Sequence, residues 1–580
     1  MAALGPVFGE SILRDKKVTF SSSSLIERSR FFRFYLFITL LVAGFSLLFI
    51  RLFSLTIIEG NSYKNLASEN RIREINQKAP RGVIYDRNKI PLVRNIPVFT
   101  TIDGEIFFNK PQNSKELFIE SSTRDYIYGE VFGNLLGYIG EVNPIDLKKL
   151  APKNYLDKYE PLKLKDYIGK MGIEEAYDKI LRGADGQEMY EADATGRYVR
   201  TLGRKASVAG RNVVLNIDLE LQKTASEQLK DKRGAVVASN PITGEILALY
   251  SSPSFDPNKI LKAEDLESVF DNQDQPLFNR GISGAYPPGS TFKIITALAG
   301  LDNGAINRSY TVEDTGVIKV GEKYSYANWY FTQYGKTEGH VDLVRALKRS
   351  NDIYFYKAGE KTGIENISKW AKKLGTGKTL GIDIKGEASG LMPDPEWRQK
   401  EKGEDWFLGD TYITAIGQGD ILTTPLQVNF WTNTIANGGK LCKPFLSTSI
   451  NSKCDDLNIN KDHLATIQNG LVEACNEGGT GWPLFNFGVE NDRLKIDNTD
   501  FFESNTSSAS AKTQVGITTA CKTGTAEFGD PDDKTHAWFT VYAPVRKPQI
   551  SVTVLVEEGG EGSSVAGPIA REILKKWFEK

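Results

Sequence analysis

Residues 286–300 read Tyr-Pro-Pro-Gly-Ser-Thr-Phe-Lys-Ile-Ile-Thr-Ala-Leu-Ala-Gly. Two prolines and a glycine cannot continue a strand or sit inside a helix. The apolar run after them has helical spacing, so Ser290 falls near a helix N-terminus. Free backbone N–H groups and the positive end of the dipole favour a developing alkoxide there. Lys293, at i+3, lies on the same face and within reach of the Ser290 hydroxyl. A lysine is a poor base at its usual pKa of about 10.4, but desolvation between Phe292, Ile294 and Ile295 lowers that value. Ser290 and Lys293 therefore read as a nucleophile and its base. The Ser-x-x-Lys pattern occurs once in the chain, and by itself it is equally a solvated helix turn.

Its companions lie downstream. A helical stretch from Val341 to Arg349 runs into Ser350-Asn351-Asp352, where a hydroxyl two residues from an acid can relay a proton and hold a lysine in place. Taken alone, the same triplet is as readily a helix cap by Ser350 or Asp352. Lys-Thr-Gly occurs twice. Lys361-Thr362-Gly363 closes the helical run that starts at Ile353, and a lysine in the last turn with a glycine after it is ordinary capping. Lys522-Thr523-Gly524 instead lies in a strand-like run with Thr525 behind it, where a glycine permits close approach of a ligand to the backbone. A strand edge carrying a cation and two hydroxyls can bind a peptide by β-augmentation while fixing its carboxylate.

Other patterns fail on inspection. Gly375-Thr376-Gly377-Lys378-Thr379 has Lys372 where a phosphate-binding loop needs glycine. Gly478-Gly479-Thr480-Gly481 lacks the last glycine of a dinucleotide fingerprint, and there is no Gly-x-Ser-x-Gly elbow. The net charge of −1 removes the electrostatic basis for nucleic-acid binding. His340, His463 and His536 stand far apart without a Cys-x-x-Cys, so no metal or other cofactor is expected. Cys442, Cys454, Cys475 and Cys521 allow three full pairings, or free thiols; a disulfide is not expected.

In 580 residues, 40% apolar and 25% charged, there is room for roughly two to four globular domains. Residues 1–33 carry Arg14, Lys16, Lys17, Arg28, Arg30 and Arg33 and read as a short disordered tail. From Phe34 to Ile50 there is no charge, and the apolar character resumes from Leu52 to Ile58. Residues 34–58 are thus long enough to span a bilayer, with the tail in the cytoplasm and everything after it outside. They are too long for a cleavable signal, and no cleavage site follows. Residues 59–209 show no catalytic pattern and read as an extended α+β spacer or pedestal, with Arg81, Asp86 and Arg87 able to form ion pairs and with Gly169–Glu174 opening an amphipathic helix that runs through Leu181. Composition changes near Arg211. Strand runs at 234–239, 245–251, 518–527, 536–543 and 549–557, with a helix over 563–579, predict a five-stranded, mainly antiparallel sheet assembled from both ends of residues 210–580.

Ser-x-x-Lys, then Ser-x-Asp, then Lys-Thr-Gly, in that order, resembles the motif triple of penicillin-binding proteins and serine β-lactamases. Arg81–Asn88, Gly169–Gly186, Gly417-Gln418-Gly419 and Thr424-Pro425-Leu426-Gln427 extend the likeness, and nearly the whole chain is similar to a class B penicillin-binding protein. Asp352, where many relatives carry asparagine, resembles the elongation type more than the division type. The resemblance implies a membrane-anchored peptidoglycan D,D-transpeptidase of cell-wall elongation, with residual D,D-carboxypeptidase activity. The alternatives are a division-septum transpeptidase, a β-lactam sensor or a non-catalytic scaffold. It further implies that Ser290 attacks a D-Ala-D-Ala stem peptide, that Lys293 takes the proton, and that Ser350 and Asp352 shuttle it and order the lysines. Lys522, Thr523, Gly524 and Thr525 would bind the substrate and its carboxylate, with the oxyanion between the backbone N–H groups of Ser290 and Thr525. β-Lactams would acylate Ser290, and a polytopic membrane glycosyltransferase would be the partner. Some elongation-type members carry zinc near Ser-x-Asp; Asn351 at its centre implies none here.

Overall fold

The computed structural model describes residues 23–101, 106–109, 119–150, 162–164, 166–193, 198–262, 266–491, 493–503 and 515–580. Most of the expected tail, residues 1–22, lies outside them. The chain divides into two units: residues up to Ile75 with Gln187–Lys205, and Asn76–Gly186 with Ala206–Lys580.

In the first unit, helix α1 (Ser23–Phe53) begins before the apolar run and passes into a π-helical turn, Ser54–Ile58. Phe31–Ile58 is the one segment among the described residues long and apolar enough to cross a membrane. Its 28 residues span about 42 Å at about 1.5 Å per residue, against a hydrocarbon core of about 30 Å. Arg51 approaches Glu59 at its C-terminal end. A three-stranded sheet then follows, formed by Ile72–Gln77, Gly186–Ala192 and Tyr198–Lys205.

In the second unit, Pro91–Thr100 and Ile119–Tyr126 pair along their length beside Ile84–Tyr85. Beneath them Arg81 donates to Glu174 at 2.8 Å and to Asp178 at 3.0 Å, and Arg124 meets the other Glu174 oxygen at 2.8 Å. This corrects the local ion pairs expected at Asp86. That carboxylate instead closes its own turn on the backbone N–H groups of Asn88 and Ile90. The helix expected through Leu181 is two short pieces, Gly172–Ala176 and Asp178–Leu181. They break at Tyr177, whose hydroxyl is held by Asp383.

The central sheet has the order β2-β1-β5-β4-β3, with every pair antiparallel. Its strands are β1 (Gly234–Ser239), β2 (Ile246–Ser252), β3 (Ala520–Glu527), β4 (Thr535–Ala543) and β5 (Ile550–Val556). The chain therefore builds the sheet from both ends of the segment and leaves β3 at an edge. On one face Val236, Phe539, Val541, Val552 and Val554 pack with Leu221 and with Ile569, Ile573 and Leu574 of the last helix. On the other face α5 (Pro425–Ala436) and α6 (Lys461–Ala474) meet the strands, and α2 (Lys293–Asp302), α3 (Leu343–Arg349) and α4 (Asp352–Thr362) join them in one apolar cluster. Every residue of α5 is buried. Its start is a reciprocal cap between Thr424 and Gln427 with Pro425 in the first turn. Amides and hydroxyls on α5 are paired as burial requires: Asn433 donates to Ser239 at 2.8 Å, Asn429 to Ser551 at 3.0 Å, and Thr432 meets Thr540 at 2.9 Å.

All four cysteines are bonded, Cys442 to Cys454 and Cys475 to Cys521, which corrects the expectation of no disulfide. The second bond spans 46 positions. It needs α6 seated against β3, a juxtaposition made by the tertiary fold and invisible in the spacing.

Candidate active site

Ser290 lies in a 3-10 turn, Gly289–Phe292, that runs directly into α2. Gly289 has φ +53°, and a Cβ there would stand 2.7 Å from the Thr525 carbonyl; only glycine fits. The turn is held by the Gly289 N–H on the Gly417 carbonyl at 2.9 Å and by the Trp538 indole N–H on the Pro287 carbonyl at 2.9 Å. A Cβ at Gly524 would meet Trp538, the Pro288 carbonyl and Thr291 at 3.0–3.1 Å. That glycine lets the serine turn close onto β3.

Lys293 is completely buried at the first position of α2. Its Nζ donates to the Ser350 carbonyl at 2.8 Å, to Ser350 Oγ at 3.3 Å and to Asp352 Oδ1 at 2.6 Å. Burial lowers the lysine from its ordinary value, and the Asp352 charge opposes that shift. Ser290 Oγ makes no hydrogen bond among the described residues. Lys522, on β3 and also fully buried, donates to Ser350 Oγ at 2.7 Å and to the Thr523 carbonyl at 3.1 Å. Burial, and then the neighbouring Lys293 charge, push it well below the usual lysine range. Two lysines thus meet on one hydroxyl with one carboxylate between them. Their protonation is coupled, and a shared proton has a path through Ser350.

Ser350 sits in the left-handed region at φ +53° between α3 and α4. The cap of α4 is neither Ser350 nor Asp352 but Asn351, whose side chain accepts from the Tyr354 N–H. Sequence reasoning missed the residues that hold this turn. Asn328 accepts from the Asp352 N–H at 3.1 Å, and the Trp329 N–H donates to Asp352 Oδ2 at 2.9 Å. Buried Asp314 accepts from Asn328 and from Asn351, both at 2.9 Å. These residues sit in the short strands and the short helix, Trp329–Tyr334, between α2 and α3, where nothing in the sequence marks them.

Thr523 is nearly buried on β3 and Thr525 is exposed; the Thr525 carbonyl accepts from Gln418 at 3.1 Å. The second Lys-Thr-Gly copy ends α4: Gly363 has φ +77°, and Lys361 lies over the Tyr310 ring.

The penicillin binding protein transpeptidase domain matches residues 234–575. The chain belongs to the penicillin-binding protein transpeptidases. The penicillin-binding protein dimerisation domain matches residues 117–215 of the same chain. The peptidoglycan D,D-transpeptidase MrdA of Haemophilus influenzae is 31% identical, covering 93% of this chain and 90% of its own. The penicillin-binding protein PBP2 of Helicobacter pylori, solved with MreC, is 27% identical, with TM-score 0.71 over 87% of this chain and 99% of its own. A chain of a peptidoglycan synthase complex that couples polymerization and crosslinking is 25% identical, with TM-score 0.70 over 94% of this chain and 99% of its own. This penicillin-binding protein is of class B and the elongation type, a serine D-Ala-D-Ala transpeptidase of peptidoglycan. The division, sensor and scaffold alternatives give way to that assignment. Its apolar N-terminal helix fits a single-pass membrane protein.

Proposed function

We infer that Ser290 is the residue acylated in this transpeptidase and that Lys293 takes its proton. Ser290 Oγ attacks the carbonyl of the penultimate D-Ala. Its proton passes to Lys293, and the Lys293–Ser350–Lys522 chain shares the charge while Asp352 holds Lys293. The bond to the terminal D-Ala breaks, and that amine leaves with a proton returned by the relay. An amine from a neighbouring stem peptide then attacks the acyl-serine and frees Ser290. The negative oxygen sits between the backbone N–H groups of Ser290 and Thr525; losing one such donor typically costs about 100-fold or more in rate. Lys522, Thr523 and Thr525 hold the terminal carboxylate, with the Gly524 backbone alongside the donor. Two buried lysines converging on the Ser350 hydroxyl support this reading most directly.

The domain division that accompanies it is a tail over 1–33, an anchor over 34–58, a pedestal over 59–209 and the transpeptidase over 210–580. The basic residues before the anchor support a cytoplasmic N-terminus and an outer catalytic domain. β-Lactams, which imitate the donor, acylate Ser290. The similarity to a chain of a peptidoglycan synthase complex supports a polytopic glycosyltransferase as partner.

Labelling with a fluorescent penicillin, followed by intact mass, tests the assignment. Wild type and Lys361→Ala gain one covalent adduct and Ser290→Ala gains none. An adduct on Ser290→Ala would remove the serine from the mechanism.

A further inference from the structure

Gly478-Gly479-Thr480-Gly481, which leads nowhere as a nucleotide motif, lies against the edge strand of the site. Thr523 Oγ1 donates to Thr480 Oγ1 at 2.9 Å. The loop that carries Thr480 is pinned on two sides. The Thr480 N–H reaches the Lys348 carbonyl at 3.3 Å, and the Gly478 carbonyl accepts from Arg349 at 2.9 Å, just before Ser350. On the other side the Cys475–Cys521 bond ties the end of α6 to the residue preceding Lys522. A Cβ at Gly481 would stand 2.4 Å from Cys521 Sγ, and one at Gly479 2.3 Å from the Ala474 carbonyl. The glycines are what let the loop come this close.

We propose that Thr480 is a positioning residue for the donor's terminal carboxylate, acting by turning the Thr523 hydroxyl toward it. This rests on the carboxylate role given to Thr523 above. In the structure Thr523 spends its only hydroxyl proton on Thr480. When a carboxylate arrives, both hydroxyls rotate: Thr480 donates to Thr523, and Thr523 donates to the anion. No bond to a heavy atom is made or broken. The Thr480 hydroxyl thereby keeps Thr523 hydrogen-bonded and pointed in both states, and a donor to a charged acceptor is the stronger kind of hydrogen bond.

The test compares acylation rate constants of the full chain in detergent toward benzylpenicillin and its methyl ester, which lacks the anionic carboxylate. Thr480→Val removes the hydroxyl at equal size. The expected result is a fall of about tenfold in the acid-to-ester ratio, the order of one hydrogen bond to a charged group. The ester rate stays unchanged, and Thr480→Ser restores the ratio. An equal loss toward both compounds would assign Thr480 a structural role only and overturn the proposal. An unchanged ratio in Thr480→Val beside a collapsed ratio in Thr523→Val would overturn it while sparing the carboxylate role of Thr523. An unchanged ratio in Thr523→Val would remove that role, and the proposal with it.

Discussion

Lys522 Nζ donates to Ser350 Oγ at 2.7 Å across 172 positions of chain, and the same oxygen accepts from Lys293. Among the described residues this hydroxyl is the one side chain that joins the two lysines on which the proposed relay depends. Ser350→Ala should therefore lower acylation by benzylpenicillin about 100- to 1000-fold, within the range of a lost proton-transfer partner, with little change in thermal stability. Stopped-flow acylation and a thermal melt check both parts; a rate within tenfold of wild type would leave the relay without its connection.

Asp352 sets the pH range of the same site. Burial lowers Lys293, and the Asp352 charge partly reverses that shift. Asp352→Asn leaves desolvation unopposed, so the lysine falls further and its free-amine form persists to lower pH. The basic form is the active one, so activity is lost as pH falls through the lysine pKa. The acid limb of acylation must therefore move to lower pH in the variant, whatever the height of its plateau. A profile of acylation rate between about pH 4 and 10 reads this directly, and a limb moved upward would contradict it.

Legibility divides along the distance over which a pattern acts. Ser290 and Lys293 lie one helical turn apart, so their spacing alone announces them. Lys522 stands in a strand-like run and Lys361 at a helix end, and that local context is enough to separate the two copies of Lys-Thr-Gly. The strands of the sheet are likewise legible as local strand runs, whose ends shift by only a residue or two in the structure. Asp314, Asn328 and Thr480 act through hydrogen bonds to residues 14 or more positions away, and short polar connections carry no periodicity. Proximity in sequence points Arg81 to Asp86, but burial brings it to Glu174, 93 positions away. The cysteines fail for the same reason.

Asp314 holds two amides that in turn hold the Ser350–Asp352 turn. Asp314→Ala leaves the buried Asn328 amide unpaired, which costs about 1–3 kcal/mol, and leaves Asn351 with Glu338 as its remaining acceptor. The turn, with Ser350 already at φ +53°, then loses its support. We expect a melting temperature lower by several degrees and acylation reduced at least tenfold in protein that remains folded. Circular dichroism melts paired with active-site titration measure this; full acylation by a destabilised variant would confine Asp314 to stability.

Far from the serine, the Arg81–Glu174–Arg124 group supplies a contrast. Both Glu174 oxygens are occupied, one by each arginine, and the carboxylate is completely buried. Removing it strands Arg124 without a carboxylate in the interior and leaves Arg81 with Asp178 alone, and breaking a buried pair this way costs about 3–5 kcal/mol because the charge left behind has no solvent. Glu174→Ala should therefore unfold at markedly lower temperature, whereas Glu174→Gln, which keeps a carbonyl acceptor for one arginine, should lose less. None of these side chains touches Ser290, Lys293, Ser350 or Lys522. The folded fraction of either variant should accordingly acylate at the wild-type rate constant. Acylation measured on soluble protein, set beside the melts, separates the two quantities. A folded Glu174 variant with a slowed acylation step would show that this buried charge group is coupled to the catalytic turn.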